Sequence, residues 1–369
     1  MITLAKILIL ANNDVGLYKF RLELIQEILR THEVFISLPN GEYIPKLISL
    51  GCYFIETPIS RRGTNPITDI KLIKKYKNII KEVKPDLVLT YTIKPNVYGG
   101  LACSVAKVPF IENITGLGTA IENGGLLQKV TLFLYKISLK KAKSVFFQNE
   151  TNRNFFKDKG IVGNNARLIP GSGVNLEQHR LEVYPQNDEK IKFLFIGRIM
   201  KAKGIEELLE AIKTVKTAYP NVQFDLIGAS EEDYNQRLDE LHKLKLINYY
   251  GQQEDVHSFI KKSHATILPS YHEGIANVLL ESAASGRPVL ASKVPGCRET
   301  FNEGISGLGF EVRSVDSLVK AIIRFINLSY NQKKEMGLAG RTKMENEFDR
   351  NIVINAYLEE IKLTVEKEN

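Results

Sequence analysis

Short runs of branched apolar residues recur along the chain, and between them apolar positions return every three to four residues. In the first half the runs are Lys6–Ala11, Glu33–Leu38, Cys52–Thr57, Asp86–Thr90, Val108–Asn113, Ser144–Gln148 and Ala166–Pro170. Helical patterns separate them at Leu17–Leu29, Ile67–Val83, Asn96–Ala106, Gln128–Lys141 and Glu150–Lys159. Strands alternating with helices predict a parallel sheet covered on both faces, because parallel neighbours need a crossover. The pattern fails over residues 171–190, which are polar and rich in turn formers. It resumes with strands at Ile191–Gly197, Val222–Gly228, Leu246–Tyr250, Ala265–Leu268, Pro288–Ser292 and Gly307–Val312. Helices are expected there at Gly204–Ala218, Asp233–Lys243, Asp255–Lys262, Ala276–Ser285 and Val315–Leu328, followed by two more. The expectation is an α/β protein of two doubly wound, Rossmann-like domains, 1–178 and 179–350, facing across a cleft. Ligands are expected at the carboxyl ends of the strands.

A length of 369 residues suits two domains, and 44% apolar with 25% charged residues excludes wholesale disorder. The apolar runs are strand-sized, far short of the ~18–20 residues of a membrane span. The opening MITLAKILILANND lacks a basic leader and a small-residue cleavage site, so it reads as a first strand rather than a signal peptide. Cys52, Cys103 and Cys297 are too widely spaced for a disulfide framework or a metal-ligand pair and fit a reducing cytoplasm.

Charge is unevenly placed. Residues 1–180 carry 25 basic against 14 acidic side chains, a net +11, whereas the rest of the chain is −3. The first half is therefore expected to face something anionic: nucleic acid, a phosphorylated substrate or a lipid surface. Taken alone, the charge is equally that of a solvated basic surface.

Two segments carry candidate chemistry. Gly197-Arg198-Ile199-Met200-Lys201-Ala202-Lys203-Gly204 joins a strand to a helix, with glycines for close backbone approach and cations flanking the turn, an arrangement suited to phosphate. In Pro269-Ser270-Tyr271-His272-Glu273-Gly274-Ile275-Ala276-Asn277-Val278-Leu279-Leu280-Glu281 a helix is expected to start just after Gly274. Glu273 would then sit at its N-terminus, able to accept sugar hydroxyls, and Glu281 about two turns on, able to receive a ribose diol. Taken alone, Glu273 reads better as an acid complementing the helix dipole and Glu281 as part of a solvated helix face.

In order and spacing, GRIMKAKG, PSYHEGIANVLLE, SGRPVLA and PGCRETFNEGISGLGF resemble the donor domain of the family 4 retaining glycosyltransferases. Gly16 after the first strand and Gly171-Ser172-Gly173-Val174-Asn175 at the junction extend the likeness along the whole chain. The resemblance implies a GT-B fold whose last helix, 351–369, crosses back to the first domain. It implies that Arg198 and Lys203 bind a nucleotide-sugar diphosphate, that Glu273 meets the donor sugar and that Glu281 meets the ribose. Gly197 belongs to the same turn. Backbone N–H groups of Gly274, Ile275, Ala276 and Asn277 would face phosphate, and Gly16 would keep a first-domain loop small enough for the diphosphate to approach. Glu273, Arg198 and Lys203 are the expected catalytic residues.

Many relatives place a His at the end of the fifth strand, where this chain reads Glu112-Asn113-Ile114-Thr115-Gly116-Leu117-Gly118. Asn113, Thr115 and Gly116, with His272 beside Glu273, are expected near the acceptor or sugar. The ITGLG, FFQNE and GSGVN segments resemble a bacterial branch acting on polyprenyl-diphosphate-linked saccharides, N-acetylgalactosaminyltransferases among them. The expected partners are thus a UDP-sugar, a lipid-linked saccharide acceptor and an anionic membrane surface, with no nucleic acid. No cofactor and no metal are expected, since the chain has no D-x-D pair, and Gly116-Leu117-Gly118 is only a fragment of a dinucleotide fingerprint.

A UDP-sugar 2-epimerase on the same fold is the alternative, without an identifiable acid–base set. A nucleic-acid binder would need a helix-turn-helix, zinc or RNP-like signature that is missing. Basic amphipathic stretches at 71–81 and 126–141, with Arg61-Arg62, predict peripheral attachment to the cytoplasmic face of the cell membrane.

Overall fold

The computed structural model describes residues 4–60, 65–117, 121, 124–186 and 190–365. Arg61, Arg62 and Gly118 lie outside the described residues. Two compact units are present, Met1–Ser172 with Asn351–Asn369, and Gly173–Arg350.

Among its described residues the first unit holds seven strands: β1 (Lys6–Leu10), β2 (Glu33–Leu38), β3 (Tyr53–Glu56), β4 (Leu87–Tyr91), β5 (Phe110–Ile114), β6 (Ser144–Phe147) and β7 (Ala166–Leu168). They run in the order β3-β2-β1-β4-β5-β6-β7, with every neighbouring pair parallel. The β1 run KILIL shows why apolar residues are continuous rather than alternating. Ile7 and Ile9 pack on one face, and Leu8 and Leu10 on the other, so both faces of the strand are buried.

Helices α1 (Asp14–Leu29), α2 (Ile44–Ser49), α3 (Pro66–Val83), α4 (Gly100–Ala106), α5 (Gly125–Leu139) and α6 (Glu150–Asp158) connect these strands. Asn13 caps α1 and Asn65 caps α3. The single helix expected over Asn96–Ala106 instead opens with a π-helical turn, Pro95–Gly99, and continues as α4. Thr90 Oγ1 donates to Asn96 Oδ1 (2.7 Å) and Asn96 Nδ2 donates to Asn113 O (2.8 Å). These bonds hold the wide turn against β4 and β5. Thr92 just before it has φ +73°, a left-handed conformation rare for a β-branched residue. The short helix α2 was not anticipated; it has no long periodic pattern to betray it.

The second unit holds β8 (Lys192–Ile196), β9 (Gln223–Ile227), β10 (Asn248–Tyr249), β11 (Ala265–Leu268), β12 (Val289–Ser292) and β13 (Gly307–Phe310), in the order β10-β9-β8-β11-β12-β13 and again all parallel. Its helices are α7 (Ile205–Ala218), α8 (Asn235–Lys243), α9 (His257–Lys262), α10 (Asn277–Ala284), α11 (Val315–Ile326) and α12 (Tyr330–Glu347). Ser329 and Gln332 form a reciprocal capping box at the start of α12. The expected strands and helices are present in both units, shifted at their ends by a few residues.

Helix α13 (Arg350–Val365) belongs, from Asn351 onward, to the first unit. Its Val353, Ile354, Tyr357 and Ile361 join the core formed by Ile7, Ile9 and α1. Tyr357 packs edge-on against Phe146, and the Arg21 guanidinium lies 5.1 Å from the Tyr91 ring centroid and 6.0 Å from that of Tyr357. All three cysteines are free and buried, and burial pushes the Cys52 thiol up to about 12.

Arg287, in the SGRPVLA segment, is fully buried and works as a splice. Its guanidinium donates to Val183 O (2.8 Å), Lys261 O (2.7 Å), Glu182 O (3.2 Å), Ile260 O (3.2 Å) and Ser285 O (3.1 Å). It thereby ties the chain entering the unit to the ends of α9 and α10. Arg287→Met is expected to lower the stability of the second unit by about 3–5 kcal/mol, because several buried carbonyls lose their donors at once. Urea unfolding of the full chain, followed by far-UV circular dichroism, checks this; an unchanged transition would assign the carbonyls other donors.

Candidate functional site

In the second sheet, successive strands are laid down on one side of β8 and then, from β11 onward, on the other. The loops leaving β8 and β11 therefore diverge, opening a crevice at the carboxyl ends of these two adjacent strands. Both candidate segments are in it. Residues 197–204 follow β8 and residues 269–276 follow β11.

Backbone contacts join the two loops. Tyr271 N–H donates to Ala202 O (3.0 Å), and Gly204, at φ +69°, lies so close to Pro269 that a Cβ would stand 2.1 Å from the proline carbonyl oxygen. Gly228 makes the equivalent approach from β9: a Cβ there would stand 1.8 Å from Gly197 O. Glycines let three strand ends press together where any side chain would intrude.

Side chains complete the arrangement. Lys203 donates to Glu273 Oε1 in a largely buried ion pair, and Ser270 Oγ donates to the same carboxylate oxygen at 2.7 Å. The cation expected for phosphate and the acid expected for the sugar are thus immediate neighbours. Arg198 is more exposed and pairs with Glu231, 3.0 Å away on the loop after β9. Tyr271 donates to Glu207 Oε1 (2.8 Å), under Arg313, whose guanidinium is 4.5 Å from the ring centroid. Burial first, then the Glu207 carboxylate, pushes the Tyr271 hydroxyl up to about 12, so it stays protonated.

Helix α10 starts at Asn277, with Ala276 as its cap residue, somewhat later than expected. The Ala276 N–H donates to Gly296 O at 2.8 Å. This corrects its assignment as a phosphate donor, because its hydrogen is already engaged in holding the loop. Gly274, Ile275 and Asn277 flank it at the helix entrance. Gly296, at φ +83°, backs the same loop: a Cβ would stand 2.4 Å from Glu273 O. Its own N–H donates to Glu299 Oε2 (2.7 Å), so the Pro295–Glu299 segment buttresses Glu273 from behind. Glu281 is partly exposed, within α10. His272 is partly exposed next to Glu273.

Two first-unit expectations are revised. Gly16 is not in a loop but in the first turn of α1, where its N–H donates to Asn13 Oδ1 (2.6 Å). Asn13 caps early enough to draw Gly16 into the helix. Asn113 is fully buried on β5 and donates to Tyr357 OH at 2.6 Å, so it anchors α13 rather than facing the acceptor. Thr115 and Gly116 follow β5 and are partly exposed.

Glu231, Ser270, Glu207 and Arg313 escaped the sequence reading. Glu231 had one usable signal, an acid just past a strand that ends in glycine. Among the described residues, no group of three or more His, Cys, Asp or Glu side chains is placed to hold a metal ion.

Comparison with known proteins places this geometry. Residues 178–343 match the family model "Glycosyl transferases group 1" and residues 6–149 match "Glycosyl transferase 4-like". A Campylobacter jejuni N,N'-diacetylbacillosaminyl-diphospho-undecaprenol alpha-1,3-N-acetylgalactosaminyltransferase is 28% identical over 367 residues, covering 95% of this chain and 96% of its own. An Escherichia coli UDP-Gal:alpha-D-GlcNAc-diphosphoundecaprenol alpha-1,3-galactosyltransferase is 27% identical, over 79% of this chain and 82% of its own. Among solved structures, Anabaena HepE in complex with UDP superposes with a TM-score of 0.78 at 18% identity, covering 96% of this chain and 99% of that one. Each unit thus matches a glycosyltransferase family model, and the chain has the GT-B fold, a 4-like unit followed by a group 1 unit.

Proposed function

We propose that this glycosyltransferase moves a sugar from a UDP-sugar to a polyprenyl-diphosphate-linked saccharide, with retention of the α-configuration, in the assembly of a bacterial surface polysaccharide or glycan. The observation that carries the reading is the 28% identity, running nearly end to end, with a transferase named for a diphospho-undecaprenol acceptor. N-acetylgalactosamine or another hexose or N-acetylhexosamine is the donor sugar this supports. The epimerase alternative gains nothing from either family match.

The Lys203–Glu273 pair at the strand crevice supports a division of labour. As the glycosidic bond breaks, negative charge grows on the β-phosphate oxygen. Lys203, Arg198 and the entrance of α10 offer positive potential to it, while Glu273 accepts hydroxyl hydrogens from the sugar. With the acceptor hydroxyl held on the same face, the departing phosphate takes its proton, so positioning supplies much of the rate. A lipid-linked acceptor keeps its chain in the bilayer, which supports peripheral attachment at the cytoplasmic leaflet. Among the described residues, no helix is long and apolar enough to cross it.

Incubation with a panel of UDP- and GDP-sugars and a polyprenyl-diphosphate-saccharide, read by mass spectrometry and by NMR of the new linkage, tests the reading. A β-linkage, or transfer from GDP-sugars alone, would refute it. Lys203→Ala is expected to cost about 100-fold in kcat/KM, and the more exposed Arg198→Ala about 10-fold, the range of a lost charge-assisted hydrogen bond. Because Lys203 and Glu273 touch, the double Ala variant should lose less than the product of the single effects. Strict multiplicativity would mean that the pair does not act as a unit.

Glu281→Ala should weaken binding of free UDP, whereas Glu273→Ala should spare UDP and lower kcat with the intact donor. Isothermal titration and steady-state kinetics separate the two, and identical profiles would overturn the assignment. EDTA should leave turnover unchanged; loss of activity restored by Mg²⁺ or Mn²⁺ would show that a metal, not Lys203 and Arg198, neutralises the diphosphate.

A further inference from the structure

Helix α5 carries large apolar residues on its exposed side as well as on the side it buries. Its buried positions include Thr131, Tyr135 and Ser138, whose spacing of four and three places them on one side. Tyr135 packs edge-on against Phe156, and the Ser138 hydroxyl donates to Asn96 O (2.8 Å) and lies 2.9 Å from Glu112 Oε1. The outward side carries Leu126, Val130, Phe133 and Ile137, at the same helical spacing, with Leu127 beside them. Leu126 is 78% and Phe133 62% exposed. Tyr135 and Leu139 are buried in the core, with Leu132 and Leu134 packed partly against it, yet a second row of large apolar side chains faces out.

Cations rim this ridge. Lys129, Lys136, Lys140 and Lys141 are all exposed, and no acidic residue occurs from Gly125 to Lys143. At the entrance of α3, across α4 and the π-helical turn, Ile67 and Ile70 are exposed as well, next to Lys71 and Lys74. Because α3 and α5 each follow a strand, both entrances lie at the carboxyl edge of the first sheet. The rest of α3 is conventional, with Leu72, Tyr76, Ile79, Ile80 and Val83 buried and its lysines outward.

We infer that α5 is an interfacial docking helix that lays its Leu126–Ile137 ridge into the headgroup region of an anionic bilayer, its lysines meeting lipid phosphates. At ~1.5 Å per residue its 15 residues reach about 22 Å, too short to span a bilayer and well suited to lie in its surface. Charge selects the occupant. A second copy seated on this face would set lysines against lysines, whereas anionic lipid complements both the ridge and its rim. The inference rests on the proposed lipid-linked acceptor for its purpose, but on α5 alone for its geometry.

The chain contains no tryptophan, so Phe133→Trp installs a single fluorescent reporter at an exposed position. On phosphatidylglycerol vesicles its emission should shift to the blue and be quenched by lipids brominated near the headgroup, with no change on phosphatidylcholine. In flotation, the triple variant Leu126→Ser, Val130→Ser, Phe133→Ser should bind phosphatidylglycerol vesicles at least tenfold less than wild type, with an unchanged unfolding midpoint. An unshifted reporter, wild-type flotation of the triple variant, or a dimer in light scattering that the triple variant abolishes would overturn the inference. Transfer to a short-chain, water-soluble prenyl-diphosphate acceptor separates this from the functional reading. The triple variant should match wild type there, while failure of wild type with every prenyl-linked acceptor, alongside a quenched reporter, would sink the acceptor and leave the docking helix standing.

Discussion

Parallel pairing between β8 and β11 is the constraint on which the second unit's chemistry depends. Parallel neighbours cannot be joined by a tight turn, so each is followed by a crossover helix, and helices from two adjacent strands on opposite sides of a switch in order must leave apart. The resulting gap is where Lys203 and Glu273 meet, although 69 residues of chain separate them. Neither residue has this neighbour by virtue of local sequence. The sheet supplies it.

Close packing of backbone keeps that gap narrow. Gly204, Gly228 and Gly296 stand where a Cβ would strike a neighbouring carbonyl, and each also has positive φ, so conformation and space both call for glycine. Two of these glycines bring the loops after β8, β9 and β11 into register, and the third sets the back wall of the Glu273 loop. Arg287 acts at a distance on the same frame by tying the entry of the unit to the ends of α9 and α10. A rigid frame around an ion pair suits chemistry in which the protein contributes field and position rather than a nucleophile.

The first unit follows the same sheet logic toward a different surface. Its strands bury both faces, and α13 closes one of them through Tyr357, which Asn113 and Arg21 hold. On the other face, Glu112 and Asn96 offer polar anchors under the sheet's covering helices, and α5 binds them through Ser138. Polar anchoring of this kind helps leave the Leu126, Val130, Phe133 and Ile137 row of α5 for the outside.

Much of the architecture was legible in the chain because it rests on short-range physics. A run such as KILIL admits only a strand buried on both sides, and alternation with 3.6-residue periodicity admits only crossovers, so sheet type and fold class were determined before any contact was known. The types of group in the site, cations and carboxylates at strand ends, were legible for the same reason. Tertiary structure alone decided which of them touch. It paired Lys203 with Glu273 and Arg198 with Glu231, took the Ala276 N–H for Gly296, drew Gly16 into a helix and turned Asn113 inward. It also decided the orientation of α5: in GLLQKVTLFLYKISL apolar residues fall on nearly every side, so periodicity cannot choose a face, and Tyr135 and Ser138 choose it by fitting Phe156, Asn96 and Glu112.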